Sequence, residues 1–457
     1  MVVLHADQKN VFYFKALLNT FSMSTGLKVN YSKSSLIPIN VPDDQTQTLS
    51  ATFSCKLESF PFTYLGLPLG LHKPRFKDFV PLLTKVDRRL AHTTLWLSMA
   101  GKLQLVNSVL SALPTYAMCS FKLLIKVVNQ IDRARRNCLW RGFNSASPSH
   151  PRAAWNLVCR PKIKGGLGVI NLRMQNIALL LKHLHKFAST QDIPWVRLVW
   201  RHYQTSLSAL LLGSLKGSRW WRDVVQLAPF FLGIARPILG NGTVIAFWED
   251  CWLLGPLKHV FPRLYSFAKF KGSSVNHFLS LPISEDNFSR PFTPEALLEF
   301  HQLLVLLEHS VPQHHPPDSW TFIWGSSTFS PRRYYAHQFL HLRPHAIFTW
   351  LWASKCSNKL KVFFWLLLNG RLYSKSLLRR RCILPAHSDL SCALCQQGLE
   401  ETSCHLFFEC PFSLVCWNEL RISWCSDRSV EIKLETARAA FARPFFMEVV
   451  IITSWTI

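Results

Sequence analysis

SCALCQQGLEETSCHLFFEC (Ser391–Cys410) places three cysteines and a histidine, Cys392, Cys395, His405 and Cys410, in the order C-x2-C-x9-H-x4-C. Two thiolates at that spacing can turn back on one ion from a tight loop, and the small residues and Gly398 suit such a turn. The closing pair lies where Thr402 can cap a short helical turn and Pro411 can open the next helix at its first position. Phe407, Phe408, Phe412 and Trp417 are expected to pack behind the ion. With all four positions filled by protein, the spacing predicts a structural zinc ion (Zn2+) and leaves no open position for a reactive water. Buried cysteines are also common without a metal, and Cys404, beside His405, is a rival for the fourth position.

The surroundings of this segment are basic. The chain has 457 residues, with 52 Lys and Arg against 26 Asp and Glu, a formal charge of +26. Such an excess implies a polyanionic partner, because each phosphate neutralised by Lys or Arg releases a counterion. With 49% apolar and 13% aromatic residues the chain can bury ample core over several domains. No run approaches the roughly 20 apolar residues that span a bilayer. The N-terminal MVVLHADQKN lacks the layout of a signal peptide. An intracellular location, nuclear or cytoplasmic and not secreted, is therefore expected, and the 13 cysteines are read as thiols and metal ligands, not disulfides.

KVFFWLLLNGRLYSKSLLRRRCILPAHSDLSCALCQQGLEETSCHLFFECPFSLVCWNEL (Lys361–Leu420) resembles the zinc-binding domain of plant non-LTR retrotransposon reverse transcriptases. FSMSTGLKVNYSKSSL (Phe21–Leu36) and FTYLGLPLG (Phe62–Gly70) look like the last palm segments of such a polymerase. LSMAGKLQLVNSVLSALPTYAM (Leu97–Met118) is similar to the helical thumb-like segment that follows, and CLWRGF (Cys138–Phe143) and PKIKGGLGVINLRMQNIALLLKHL (Pro161–Leu184) continue in the family's order. In such enzymes an aromatic-Ala-Asp-Asp hairpin precedes the segment equivalent to MVVLHADQKN. The resemblance thus implies a truncated chain without the aspartates that hold the catalytic metals, and no nucleotidyl transfer as encoded. Asp43-Asp44, after Pro42, comes too late in the order to replace them and is expected to form a polar turn.

The expected fold is α+β and mostly α-helical. Residues 1–80 are read as a partial palm remnant, 81–190 as a helical thumb-like region, 191–310 as a Trp-rich connector, 318–430 as the zinc-binding domain and 431–457 as a truncated tail. In the first region Phe14, Leu17 or Leu18, and Phe21 fall at helical spacing before Gly26, LKVNYSKSSLIPI alternates as a strand, and FTYLGLPLG is expected to form a hairpin. The resemblance makes Lys33, Tyr64, Leu65 and Gly66 candidates for primer or template contact, with plain strand packing as the alternative for Tyr64 and Leu65.

Further along, Lys122, Lys126, Arg133, Arg135, Arg136 and Arg141 crowd one candidate helix, either a phosphate-tracking surface or a solvated face. Lys162 and Lys164 flank the glycines of CRPKIKGGLG, which would allow close approach to a phosphate, although the loop lacks a P-loop ending. SRWWRDV pairs Arg219 and Arg222 with two tryptophans that can stack bases or fill core. GNGTVIAFWEDCW reads as a turn and a strand. VPQHHPPDS reads as a linker in which His314 and His315 are weak metal candidates. Finally, Lys359, Lys361, Arg371, Lys375, Arg379, Arg380 and Arg381 form a basic approach to the zinc ligands with no acid among them.

Together these features predict a zinc-containing remnant that binds RNA or DNA through its backbone. A portion of an active RNA-directed DNA polymerase with catalytic residues upstream, and a pseudogene product without a selected role, are the competing readings.

Overall fold

The computed structural model describes residues 1–91, 97–140, 151–203, 217–253, 255–280, 287–308, 316–427 and 429–457. They form two compact units, Met1–Val80 and Pro81–Ile457. Helices dominate, with three two-stranded sheets among the described residues, so the fold is mostly α-helical α+β.

In the first unit, α1 (Gln8–Thr25) starts where the Asp7 side chain accepts the Lys9 N–H and stops at Gly26, whose φ of +73° is a left-handed conformation that glycine adopts without strain. The helix turns Val11 inward and stacks Phe14 on Phe53 at 5.8 Å, while Leu17 and Phe21 stay exposed. The strand expected after Gly26 is largely absent. Asn30 accepts the Lys33 N–H through its side chain and winds Tyr31–Lys33 into a 3-10 turn, leaving only β1 (Ser35–Leu36) to pair in parallel with β2 (Lys56–Leu57). Asp43-Asp44 is likewise no isolated turn. The pair opens α2 (Asp43–Phe53), where carboxylates in the first turn complement the helix dipole. The hairpin is present as β3 (Phe62–Tyr64) and β4 (Leu67–Leu69), joined through Leu65 and Gly66, both at positive φ.

In the second unit, Ser98 caps α3 (Met99–Leu105), which runs into a widened turn and buries Leu103, Val106 and Leu110. Next come α4 (Ile125–Trp140) and α5 (Leu172–Ala188), the latter capped by Asn171. The buried Asn176 side chain ties α5 to the preceding segment, accepting the Leu123 N–H and donating to the Met118 and Phe121 carbonyls, each at 2.8 Å. The inner face of α5 shares one core with Trp221 of α6 (Arg219–Val225), Phe231, Trp320 and Phe322. Each such side chain stabilises the fold by roughly 1.5–3 kcal/mol when fully buried. Tyr334 of α7 (Pro331–His337) closes this core.

The sheet β5 (Ala235–Ile238) with β6 (Ser319–Phe322) is antiparallel and joins the tryptophan-rich stretch to the segment carrying the cysteines. The Asp318 carboxylate reinforces that join by accepting the Gly240, Gly242 and Val244 N–H groups at 2.8 Å. The segment after Gly240 was expected to be a strand. It is instead irregular backbone with one isolated bridge, Ala246 to Ser274, because Ile245, Phe247 and Trp248 all turn into a second aromatic core.

The chain continues through α8 (Ala346–Ala353), α9 (Asn358–Leu368), α10 (Lys375–Arg380), α11 (Pro411–Glu419), α12 (Val430–Phe441) and α13 (Phe446–Thr456). Among the described residues no helix is long and apolar enough to cross a membrane.

Two histidines on α5, His185 buried and His183 half-buried, make the fold acid-sensitive. His183 packs edge-on to Trp195 and Trp220, and its Nε2 donates to the Cys119 carbonyl at 2.8 Å. Burial lowers its pKa, the Cys119 carbonyl opposes the shift and the Lys186 and Lys182 ammonium groups add to it. Burial also lowers the pKa of His185, which packs on Phe322. The unfolded chain therefore takes up protons first as pH falls below about 6.5. The stabilisation is complete above that value and is lost towards the lowered folded pKa. Urea midpoints are expected to drop between pH 7 and pH 5, and His185→Gln should flatten the drop; an equally steep profile in the variant would refute this assignment.

Candidate metal centre and basic surface

Local hydrogen bonding brings the four candidate ligands together. The Asp389 carboxylate accepts the Ser391 N–H at 2.8 Å. A short hairpin follows, with Cys392 N–H donating to Leu399 O and Glu401 N–H to Leu390 O, both at 2.8 Å. Gly398 turns it at φ +67°. Thr402 Oγ1 accepts the His405 N–H at 3.0 Å and starts a widened turn over His405–Glu409, after which Pro411 occupies the first position of α11. Behind this turn, Phe408 and Trp417 pack on Trp424 at 4.9 and 5.1 Å, and the Trp417 indole donates to Phe407 O. Phe412, expected in the same layer, is 48% exposed because it lies on the outer face of α11.

The ligand atoms of Cys392, Cys395, His405 and Cys410 all lie within 4.8 Å of one another. Cys392 Sγ is 3.9 Å from Cys410 Sγ, and Cys395 Sγ is 3.4 Å from His405 Nε2. A tetrahedron with metal–sulfur bonds of about 2.3 Å has edges of about 3.8 Å, so these separations and this donor set fit a single zinc-sized ion. Cys392, Cys410 and His405 are buried. Burial works against a Cys392 thiolate, but the N–H groups of Leu394 and Cys395 together with the Cys395 and Cys410 side chains outweigh it and hold the pKa below the usual thiol range. Cys410 is pushed up by burial, with opposing N–H groups from Phe412 and Ser413. Cys404 lies outside this cluster: its thiol donates to the Glu409 carboxylate at 3.1 Å, and burial and that carboxylate push its pKa up to about 12.

Sequence reading missed the acid that supports this hairpin. Glu401 is buried; its carboxylate accepts the Lys375 N–H at 3.0 Å and the Ala393 N–H at 3.4 Å. Lys375 Nζ in turn donates to Ser391 O at 2.8 Å. The first turn of α10 is thereby fastened to the ligand hairpin, and the same helix carries Arg379 and Arg380 on its exposed side. The lone local signal for Glu401 was its place one residue before the capping Thr402.

The predicted basic residues divide by what their head groups do. Lys33, Arg133, Arg219, Lys359, Arg379 and Arg380 are exposed. Arg379 lies 3.9 Å from Glu400, and Lys359 sits over the Trp455 ring at 4.7 Å. Arg136, Arg222 and Arg371 are half-buried, Arg136 holding the Asp132 carbonyl and Arg371 enclosing its Nε. Arg381 donates to the Pro151 and Arg152 carbonyls. Lys164 is taken up by the Phe339 carbonyl.

Arg135 is a correction: its side chain is wholly buried, donating to Asp132, Ser111 and Ile170, so it cannot reach a phosphate. Tyr64 is half-buried in the first-unit hairpin. Trp221 is core and Trp220 is half-buried with its indole donating to Ser120 O, so the pair is packing material. Arg141, His314 and His315 lie outside the described residues.

Residues 329–417 match the model of a family described as zinc-binding in reverse transcriptase. The chain is also 26% identical over 376 residues to an Arabidopsis thaliana protein named as a putative ribonuclease H protein, an alignment covering 76% of this chain and 56% of the relative. The chain thus spans little more than half the length of that relative.

Proposed function

We propose that this chain is a retrotransposon-derived reverse-transcriptase segment in which a structural zinc ion braces a basic surface for RNA or DNA, binding the phosphate backbone without reading sequence. The observation that carries this reading is the fastening of α10 to the ligand hairpin through Glu401 and Lys375. An ion held by Cys392, Cys395, His405 and Cys410 would fix the hairpin, and the hairpin fixes the helix that presents Arg379 and Arg380. Backbone-directed contact needs positioned cations and no base-edge donors. The match at 329–417 and the net charge of +26 point the same way. The reading assigns binding, and no nucleotidyl transfer, to the residues present.

The test is to titrate the zinc-loaded chain with single-stranded RNA and duplex DNA of several sequences over a salt series. Affinity is expected to vary little with sequence and to fall linearly on a log–log salt plot. Arg379→Gln with Arg380→Gln should shallow the slope by about one for each phosphate left without its arginine. Absence of binding at low salt would overturn the reading, and primer extension by the purified chain would replace it with a polymerase.

A further inference from the structure

We propose that Lys162 and Lys361, some two hundred residues apart in sequence, form one phosphate site built on Trp352; this rests on the polynucleotide reading above and locates one of its contacts. Lys162 belongs to a loop that closes on itself, with Gly166 N–H donating to Pro161 O and Gly168 N–H to Arg160 O. A Cβ on Gly166 would lie 2.0 Å from the Arg160 carbonyl oxygen, so this glycine serves the loop's own closure and not the approach of a ligand. The loop is anchored to α9 by the Trp365 indole, which donates to Gly165 O at 2.8 Å. That anchor fixes where Lys162 stands.

Two ammonium groups then meet on one residue. Lys162 Nζ lies 4.6 Å from the Trp352 ring centroid, and Lys361 Nζ donates to the Trp352 carbonyl at 3.1 Å. Neither has an ion-pair partner among the described residues. Glu448, which like Lys361 lies close enough to act on Cys356, is engaged through Oε1 by the Lys355 N–H at 2.8 Å. Partial burial and the Lys361 charge both lower the Lys162 pKa, so the Lys162 ammonium stands in a field that an anion would offset. An oxyanion between them relieves that repulsion. Each ammonium has three donors, of which Lys361 uses one on the carbonyl, so N–H groups remain on both for phosphate oxygens. Trp352 preorganises both, its ring carrying one and its carbonyl the other.

The experiment compares the zinc-loaded parent with Lys162→Gln, Lys361→Gln and the double variant, reading the salt slope of single-stranded RNA binding and the rise in melting temperature with pyrophosphate. Each single variant is expected to weaken binding about fivefold at low salt and shallow the slope by about one. The double variant should lose little more than either single, because both groups serve one phosphate, and it should lose the pyrophosphate response. Without added anion the variants should melt no lower than the parent. Parent-like RNA binding and salt slope in the double variant would overturn the site while leaving the nucleic-acid reading intact. A lowered melting temperature in Lys361→Gln with the pyrophosphate response retained would overturn it too, by making Lys361 a structural brace. If the parent bound no polynucleotide, the broader reading would fail, and a pyrophosphate response lost in the double variant would still support the anion site.

Discussion

Replacing Cys410 by serine, or stripping metal with a strong chelator, is expected to unfold the segment around residues 390–420 while leaving the core around Trp221 and Trp320 folded. The ligand hairpin has little apolar burial of its own; it is held by a few backbone bonds and by whatever joins Cys392 and Cys395 to His405 and Cys410. Structural zinc contributes on the order of 10–16 kcal/mol to small metal-dependent folds near neutral pH, far more than those bonds supply. The purified chain should therefore contain about one zinc per molecule, as four protein ligands on one ion require. Cys410→Ser should lose it, and hydrogen exchange across the hairpin and the first turn of α10 should become fast. Cys404→Ser is the matched control, since that thiol faces Glu409 and should leave zinc content unchanged. Metal analysis that found no zinc in the parent, or equal zinc in the Cys410 and Cys404 variants, would sink the assignment. Because α10 hangs on this hairpin, the Cys410 variant should also bind polynucleotide more weakly.

The clustering of Cys392, Cys395, His405 and Cys410 was legible because its spacing is local: a pair of cysteines two apart and a capped turn carry their geometry with them. So was the 62–70 hairpin, where the Leu65-Gly66 turn needs positive φ at both positions. The strand after Gly26 failed because one side chain, Asn30, offered the backbone a competing local bond. Asp43-Asp44 was read for its polarity when its position after Pro42 suited a helix start equally well. The proposed pairing of Lys162 with Lys361 was out of reach of the sequence, since it rests on the packing of a glycine loop on α9.

Arg135 was readable and was misread. Val128, Ile131, Arg135 and Cys138 recur at three- and four-residue intervals on α4 and all are buried, so the arginine occupies the apolar stripe and not the basic face. Its guanidinium bonds to Asp132 Oδ1 at 2.6 Å, Ser111 Oγ at 2.9 Å and Ile170 O at 2.6 Å, and lies 5.3 Å from the Trp155 ring centroid. Replacing one partner of a buried charged network costs about 3–5 kcal/mol, because the groups left behind are desolvated without compensation. Arg135→Met is thus expected to lower unfolding free energy by that amount in urea titrations. In the fraction that remains folded it should leave the salt slope of nucleic-acid binding at the parent value. Arg133→Gln, on the exposed side of the same helix, should do the opposite: stability within about 0.5 kcal/mol of the parent, as for surface changes generally, and a slope shallower by about one. A parent-like denaturation midpoint for Arg135→Met would show that the guanidinium is dispensable to the core, and a shallower slope for the same variant would return it to the binding surface.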